Sequence, residues 1–247
     1  MIPRNPLLLL AAAAALLLTS SCGSRPGIES LSNPVARTSG GSMKITGKRY
    51  SSTTRAALDE LGLLKAVRRD PDTAIRRIDA LLMRDPRPEW RLAAAEIAIN
   101  EAVRLEGSGS EKEFGYLLCA IRFSEAGLGT GAPELQIMMA EAYNEANAEL
   151  AWLLHQHSKP GGNLRAVGPM RSGSVGWAEG LRGKLDPDFY DSLTPSSRIK
   201  VQGFDERTIE AGVGGSLIGF AAGTPERKKT DPFIPSTGFG ISLAATV

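Results

Sequence analysis

Asp70-Pro71-Asp72-Thr73-Ala74-Ile75-Arg76-Arg77-Ile78-Asp79-Ala80-Leu81-Leu82-Met83-Arg84-Asp85-Pro86 is one helical stretch framed by two Asp-Pro pairs. Ala74, Ile75, Ile78, Leu81 and Leu82 recur at three- and four-residue steps, which places them on one helix face. Proline is tolerated in a first helical turn but breaks a helix interior, so both pairs read as helix junctions. Upstream, Leu58, Leu61, Leu63 or Leu64, and Val67 keep the same period and predict a helix from about Thr53 to the first junction. Downstream, Arg87-Pro88-Glu89-Trp90 opens a longer helix through Leu92, Ala95, Ile97, Ala98, Ala102 and Leu105, whose alanines allow a neighbour to approach closely. Gly107-Ser108-Gly109-Ser110 breaks it. A fourth helix is predicted over 111–126, ending at Gly127-Leu128-Gly129-Thr130-Gly131. Pro133-Glu134 opens a fifth, which Lys159-Pro160-Gly161-Gly162 stops after Trp152 and His157.

Short links between amphipathic helices imply antiparallel neighbours. Helix starts near Arg55 and Pro88 lie close to the period of a tetratricopeptide hairpin, although the Trp-Leu-Gly-Tyr order of that repeat is absent. The helical domain over 53–158 is therefore repeat-like, with an irregular helical bundle as the equal alternative. After it, residues 159–197 mix Gly, Pro and Ser with short apolar pieces and read as an irregular linker, with a turn or short helix at Asp186-Pro187-Asp188-Phe189-Tyr190. Branched and apolar residues between glycines predict strands over 198–202, 213–222 and 240–247. The expected fold class is mostly α: antiparallel helical hairpins, then a small C-terminal β segment over 198–247.

The N-terminal region says where the chain goes. Arg4 precedes the apolar run of 7–18, and Thr19-Ser20-Ser21 leads to Cys22. A basic start, a short apolar stretch and small residues at the cut make 1–21 a secretory signal. A cysteine at the cut resembles the bacterial lipobox, whose thiol and new amine carry acyl chains, so Cys22 is the expected lipidation site. The alternative is an ordinary signal peptide cut nearby. The run is too short for a spanning helix, which needs about 20 apolar residues. Several acyl chains on one residue suffice for stable anchoring. Residues 22–52, rich in Gly, Ser, Pro and Thr, read as a disordered tether.

Composition narrows the partners. Of 29 basic residues only Arg4 leaves with the leader, so 28 remain against 27 acidic ones and the net charge is +1. A near-neutral protein gives no electrostatic reason to bind nucleic acid. With Cys22 acylated, Cys119 stands alone in Tyr116-Leu117-Leu118-Cys119-Ala120-Ile121 and reads as an inert buried thiol.

Candidate chemistry is sparse. His155 and His157 sit at a helix end, where the negative end of the dipole accounts for them, and no further Cys or His completes a metal shell. Glu141, Glu145 and Glu149 recur every four residues and read as a solvated stripe. Ser174, in Ser172-Gly173-Ser174-Val175-Gly176, only approaches the Gly-x-Ser-x-Gly elbow, and Ser216 lacks its final glycine. An esterase pairing Ser174 or Ser216 with His155 or His157 is thus a remote reading. Gly212-Val213-Gly214-Gly215 resembles a phosphate loop without the Gly-Lys-Ser/Thr that would complete it, and Arg227-Lys228-Lys229 reads as a solvated turn. No catalytic, cofactor or metal residue is assigned.

One resemblance organises the C-terminal stretch. Arg198-Ile199-Lys200-Val201-Gln202-Gly203, Gly212-Val213-Gly214-Gly215-Ser216-Leu217-Ile218-Gly219, Asp231-Pro232-Phe233-Ile234-Pro235 and Ala245-Thr246-Val247 fall in an order similar to the segment before the hydrolase core of bacterial α/β-hydrolase-like lipoproteins. There a lipobox and a helical region also come first. The resemblance implies a nucleophile elbow and its partners beyond the Ala-Thr-Val strand, so no family catalytic residue maps onto this sequence. It implies the non-catalytic N-terminal part of such a protein, as a truncated product or with the hydrolase half encoded separately. Esters or lipids are the implied substrates of a complete version. The expectation is a lipid-anchored protein of the bacterial envelope, placed in the outer membrane by analogy because no Asp follows Cys22. Its expected partners are membrane lipid through Cys22 and a protein on the helical domain or the final strand. A free-standing helical adaptor for other envelope proteins is the alternative.

Overall fold

The computed structural model describes residues 27–30, 50–158, 162–178, 186–202, 213–220 and 239–243. The chain is mostly α with a small C-terminal β part, as its periodicity predicts. The helices are α1 (Ser52–Glu60), α2 (Ala66–Arg69), α3 (Pro71–Leu82), α4 (Pro88–Arg104), α5 (Glu111–Glu125) and α6 (Pro133–His157). The strands are β1 (Gly27–Ser30), β2 (Leu164–Val167), β3 (Ser172–Val175), β4 (Ser192–Pro195), β5 (Ile199–Gln202), β6 (Gly215–Phe220) and β7 (Phe239–Leu243).

The Asp-Pro junction works as its chemistry demands. Asp70 caps α3 by accepting from the Thr73 amide at 3.0 Å, with Pro71 in the first turn. The helix expected to run from Thr53 towards Asp70 is broken at Gly62 instead. Gly62 has φ +65°, Leu63 N donates to Leu58 O at 2.7 Å, and Gly62 N donates to Asp59 O at 2.9 Å. That is a Schellman ending, completed by apolar contact between Leu58 and Leu63, both buried. The leucine period continues across the break, which is why periodicity alone reads one helix.

α4 is the centre of the core. It packs against α1, α3, α5 and α6, and every residue from Leu92 to Asn100 is buried. A helix enclosed on all sides carries apolar or small residues all round. Ala93, Ala94, Ala95 and Ala98 supply the close approach. The same enclosure traps Glu96, 3% exposed, which accepts from the Ser51 amide at 2.9 Å. Burial pushes the Glu96 pKa up, against the hydrogen bonds from Ser51 and Thr54 that favour the carboxylate.

Among the described residues the strands form three small antiparallel sheets: β1 with β5, β2 with β3, and a three-stranded sheet ordered β4-β6-β7. Residues 159–197, read as an irregular linker, thus hold the β2–β3 hairpin and β4. Two parts of the span read as a tether, 22–52, are described. Ser51 caps α1 through the Thr54 amide at 3.1 Å, Tyr50 packs on the core, and Gly27–Ser30 pairs with Ile199–Gln202. The leader, Cys22 and the rest of that segment lie outside the described residues.

Candidate functional site

Two places concentrate polar chemistry or open space. The first lies where the short 3-10 turn Ser196–Arg198, between β4 and β5, sends Arg198 into the helices. Arg198 Nε donates to Glu149 Oε1 at 3.0 Å, a second guanidinium nitrogen grips Glu149 Oε2, and Nη1 lies 2.6 Å from Glu106. The guanidinium carbon is 3.8 Å from the Trp152 ring centroid. Burial works against the charged Arg198, but Glu149, Glu106 and Glu145 outweigh it and hold its pKa above the ordinary value.

Beside this pair sits Glu113, 2% exposed, which accepts from the Gly107 and Gly109 amides at 3.0 and 2.9 Å and from the Ser108 hydroxyl at 3.0 Å. Burial raises its pKa against those bonds, and the Glu149 charge raises it further. The space these groups enclose with Ile99, Leu117 and Leu153 is about 10 Å3. That is room for about one water at most. Arg198 already grips two carboxylates and stacks on a ring, so the arrangement is a clamp joining the β part to α6 and to the turn after α4. The stripe Glu141, Glu145, Glu149, expected to be solvated, is corrected here: Glu149 is 7% exposed because Arg198 neutralises it inside.

The second place is a cavity of about 460 Å3 between α5 and the β2–β3 hairpin. Helix and hairpin touch at one end because two glycines meet there. A Cβ at Gly115 would lie inside the Val167 carbonyl group, and one at Gly168 would lie 2.8 Å from Gly115 O. Arg76 Nη1 donates to Pro169 O at 3.3 Å and pins the hairpin turn to α3. Cys119 lines this cavity at 5% exposure, with burial pushing its thiol up to about 12. It is the inert thiol expected from its apolar neighbours.

The remaining sequence-named residues are scattered. Ser174 is exposed on β3, in register with Arg165, and Ser216 is exposed on β6. Both occupy regular antiparallel strands, where no strand-to-helix elbow presents a hydroxyl. His155 and His157 lie in the last turn of α6, as the dipole reading expects, and the His157 ring covers Gly109. Among the described residues no group of three or more His, Cys, Asp or Glu is arranged to hold a metal ion. Arg227-Lys228-Lys229 and Gly212 lie outside the described residues.

Sequence reasoning missed the Arg198 clamp, because nothing local marks one arginine beside Ser196-Ser197 as a buried partner of Glu149. Glu113 did carry a signal. Ser110 followed three residues later by Glu113, directly after a glycine break, is capping-box spacing. Ser110 does accept from the Glu113 amide at 3.2 Å, while the Glu113 carboxylate reaches back to the loop amides. No family model matches the chain, and no curated protein or solved structure matches it.

Proposed function

We infer that the protein is exported and anchored through lipid on Cys22 to a membrane of the bacterial cell envelope, where its folded body binds or scaffolds rather than turning over a substrate. The observation that carries this reading is the order within 1–22: Arg4, an apolar run, Thr19-Ser20-Ser21, then the cysteine. None of the described helices is long and apolar enough to cross a membrane. By its resemblance to hydrolase-like lipoproteins, the body corresponds to their non-catalytic N-terminal part. The Gly23-Ser24 pair after Cys22 favours the outer membrane by analogy.

Fractionating cells that express Cys22→Ala tests the anchor. The substituted chain should leave the membrane pellet for the soluble envelope fraction and lose its acyl mass, whereas unchanged membrane association refutes it. Labelling of the purified chain by a fluorophosphonate would overturn the non-catalytic half of the reading.

A further inference from the structure

The geometry points to a binding site for a small amphipathic anion, an organic carboxylate with an apolar body, in the cavity between α5 and the β2–β3 hairpin. This goes beyond the anchored-lipoprotein reading and holds whether or not Cys22 is acylated.

The space comes first. About 460 Å3 falls within the roughly 300–1,000 Å3 typical of small-molecule sites. Its origin is legible in the strand register. Gly173 lies directly opposite Ala166, and cross-strand partners share a face. Ala166 is 1% exposed, so that face is the one turned to the helix. Gly173 itself is exposed, and a Cβ built on it meets nothing within 4 Å, so this wall is bare and the cavity opens to solvent beside it. Because Gly115 and Gly168 close the gap elsewhere, the wedge has one narrow and one wide part.

Chemistry of the walls selects the ligand. Leu118, Cys119, Met170 and Val175 give an apolar lining, the Cys119 thiol being neutral. Arg122 and Arg171 are the two charged residues of the lining, Arg171 being exposed. Arg122 has Asp79 at 3.7 Å, a loose pair with both side chains about one-third exposed, while Arg171 makes no ion pair among the described residues. Asp79 and Asp72 lie close enough to act on the Cys119 thiol, but the lining itself holds two arginines and no carboxylate, which favours an anion that carries an apolar body. The guanidinium fork pairs well with a carboxylate.

Calorimetric titration of the purified chain carrying Cys22→Ala, with octanoate and with neutral octanol as probes, tests the site. Octanoate should saturate and bind at least tenfold more tightly than octanol. Gly173→Leu, which enters open space at an unstrained backbone position, should abolish binding of both. Arg122→Gln with Arg171→Gln should weaken octanoate at least tenfold and leave octanol unchanged. Arg165→Gln, on the outward face and 70% exposed, should change neither. Absence of saturable octanoate binding, equal affinity for octanol, or full octanoate affinity in Gly173→Leu would each overturn the proposal. Far-UV circular dichroism of every variant checks folding, and the arginine pair reads the site independently of Gly173.

Discussion

Gly115 shows two opposing effects at one residue. In the interior of a helix, glycine costs about 1 kcal/mol relative to alanine, so propensity alone says Gly115→Ala should stabilise the protein. The packing says the reverse, because the new Cβ would lie inside the Val167 carbonyl group, which is backbone and cannot swing away. Overpacking of this kind costs about 1–3 kcal/mol, enough to exceed the propensity gain. Urea denaturation of Gly115→Ala should therefore show net destabilisation. A rise in stability would mean that the hairpin does not sit against α5 at this point. Glu96 is also set by its surroundings: in the stretch of α4 that is buried from Leu92 to Asn100, its carboxyl group is met by the Ser51 amide that the start of α1 delivers.

Between elements, Arg198 carries the largest burden. It joins the β part to α6 through a residue 49 positions away in the chain, Glu149, and reaches Glu106 just beyond α4. Removing one partner of a buried ion pair leaves the other charge uncompensated and costs about 3–5 kcal/mol. Arg198→Ala should lower stability by that order. Hydrogen exchange of β4 and β6 should accelerate more than that of α4. Arg198→Lys should not rescue it, since an ammonium cannot grip Glu149 with two nitrogens and cover Trp152 at once. Unchanged exchange in β4 would show that the clamp does not hold the sheet. The same element shows where the sequence stops being readable. Helices declare themselves because their apolar residues repeat every turn and their Pro and Gly boundaries are local. The Arg198 clamp and the β2–β3 hairpin depend on partners far along the chain. The strand Ser172-Gly173-Ser174-Val175 has little apolar content of its own, and its hairpin owes its position to Gly115 and Arg76. Gly62 is the intermediate case, a local signal hidden by a leucine period that runs straight through it.

For the molecule as a whole, the consequential contact is the pairing of β1 with β5. Ile28 lies opposite Val201 and Gly27 opposite Gln202. If the lipid is on Cys22, the five steps from Cys22 to Gly27 can span at most about 18 Å of extended chain. The anchor would then reach the folded body at β5, next to the Arg198 clamp. The path to Tyr50 is much longer, 28 steps or roughly 100 Å at the same extension. The two routes predict different standoff from a bilayer, and the register offers a direct check. In a Cys22→Ala background, Ile28→Cys with Val201→Cys should oxidise to an intrachain disulfide, because directly opposed antiparallel residues have Cα atoms about 4.5–5.5 Å apart, within the range a disulfide spans. Cys119 is too buried and too weakly acidic to compete for either thiol. Pairing Ile28→Cys with Ser174→Cys, which lies on a different sheet, should give no such product. Mass spectrometry of the unreduced chains distinguishes the outcomes. Free thiols at both 28 and 201 after mild oxidation would detach β1 from β5 and restore the long route through Tyr50.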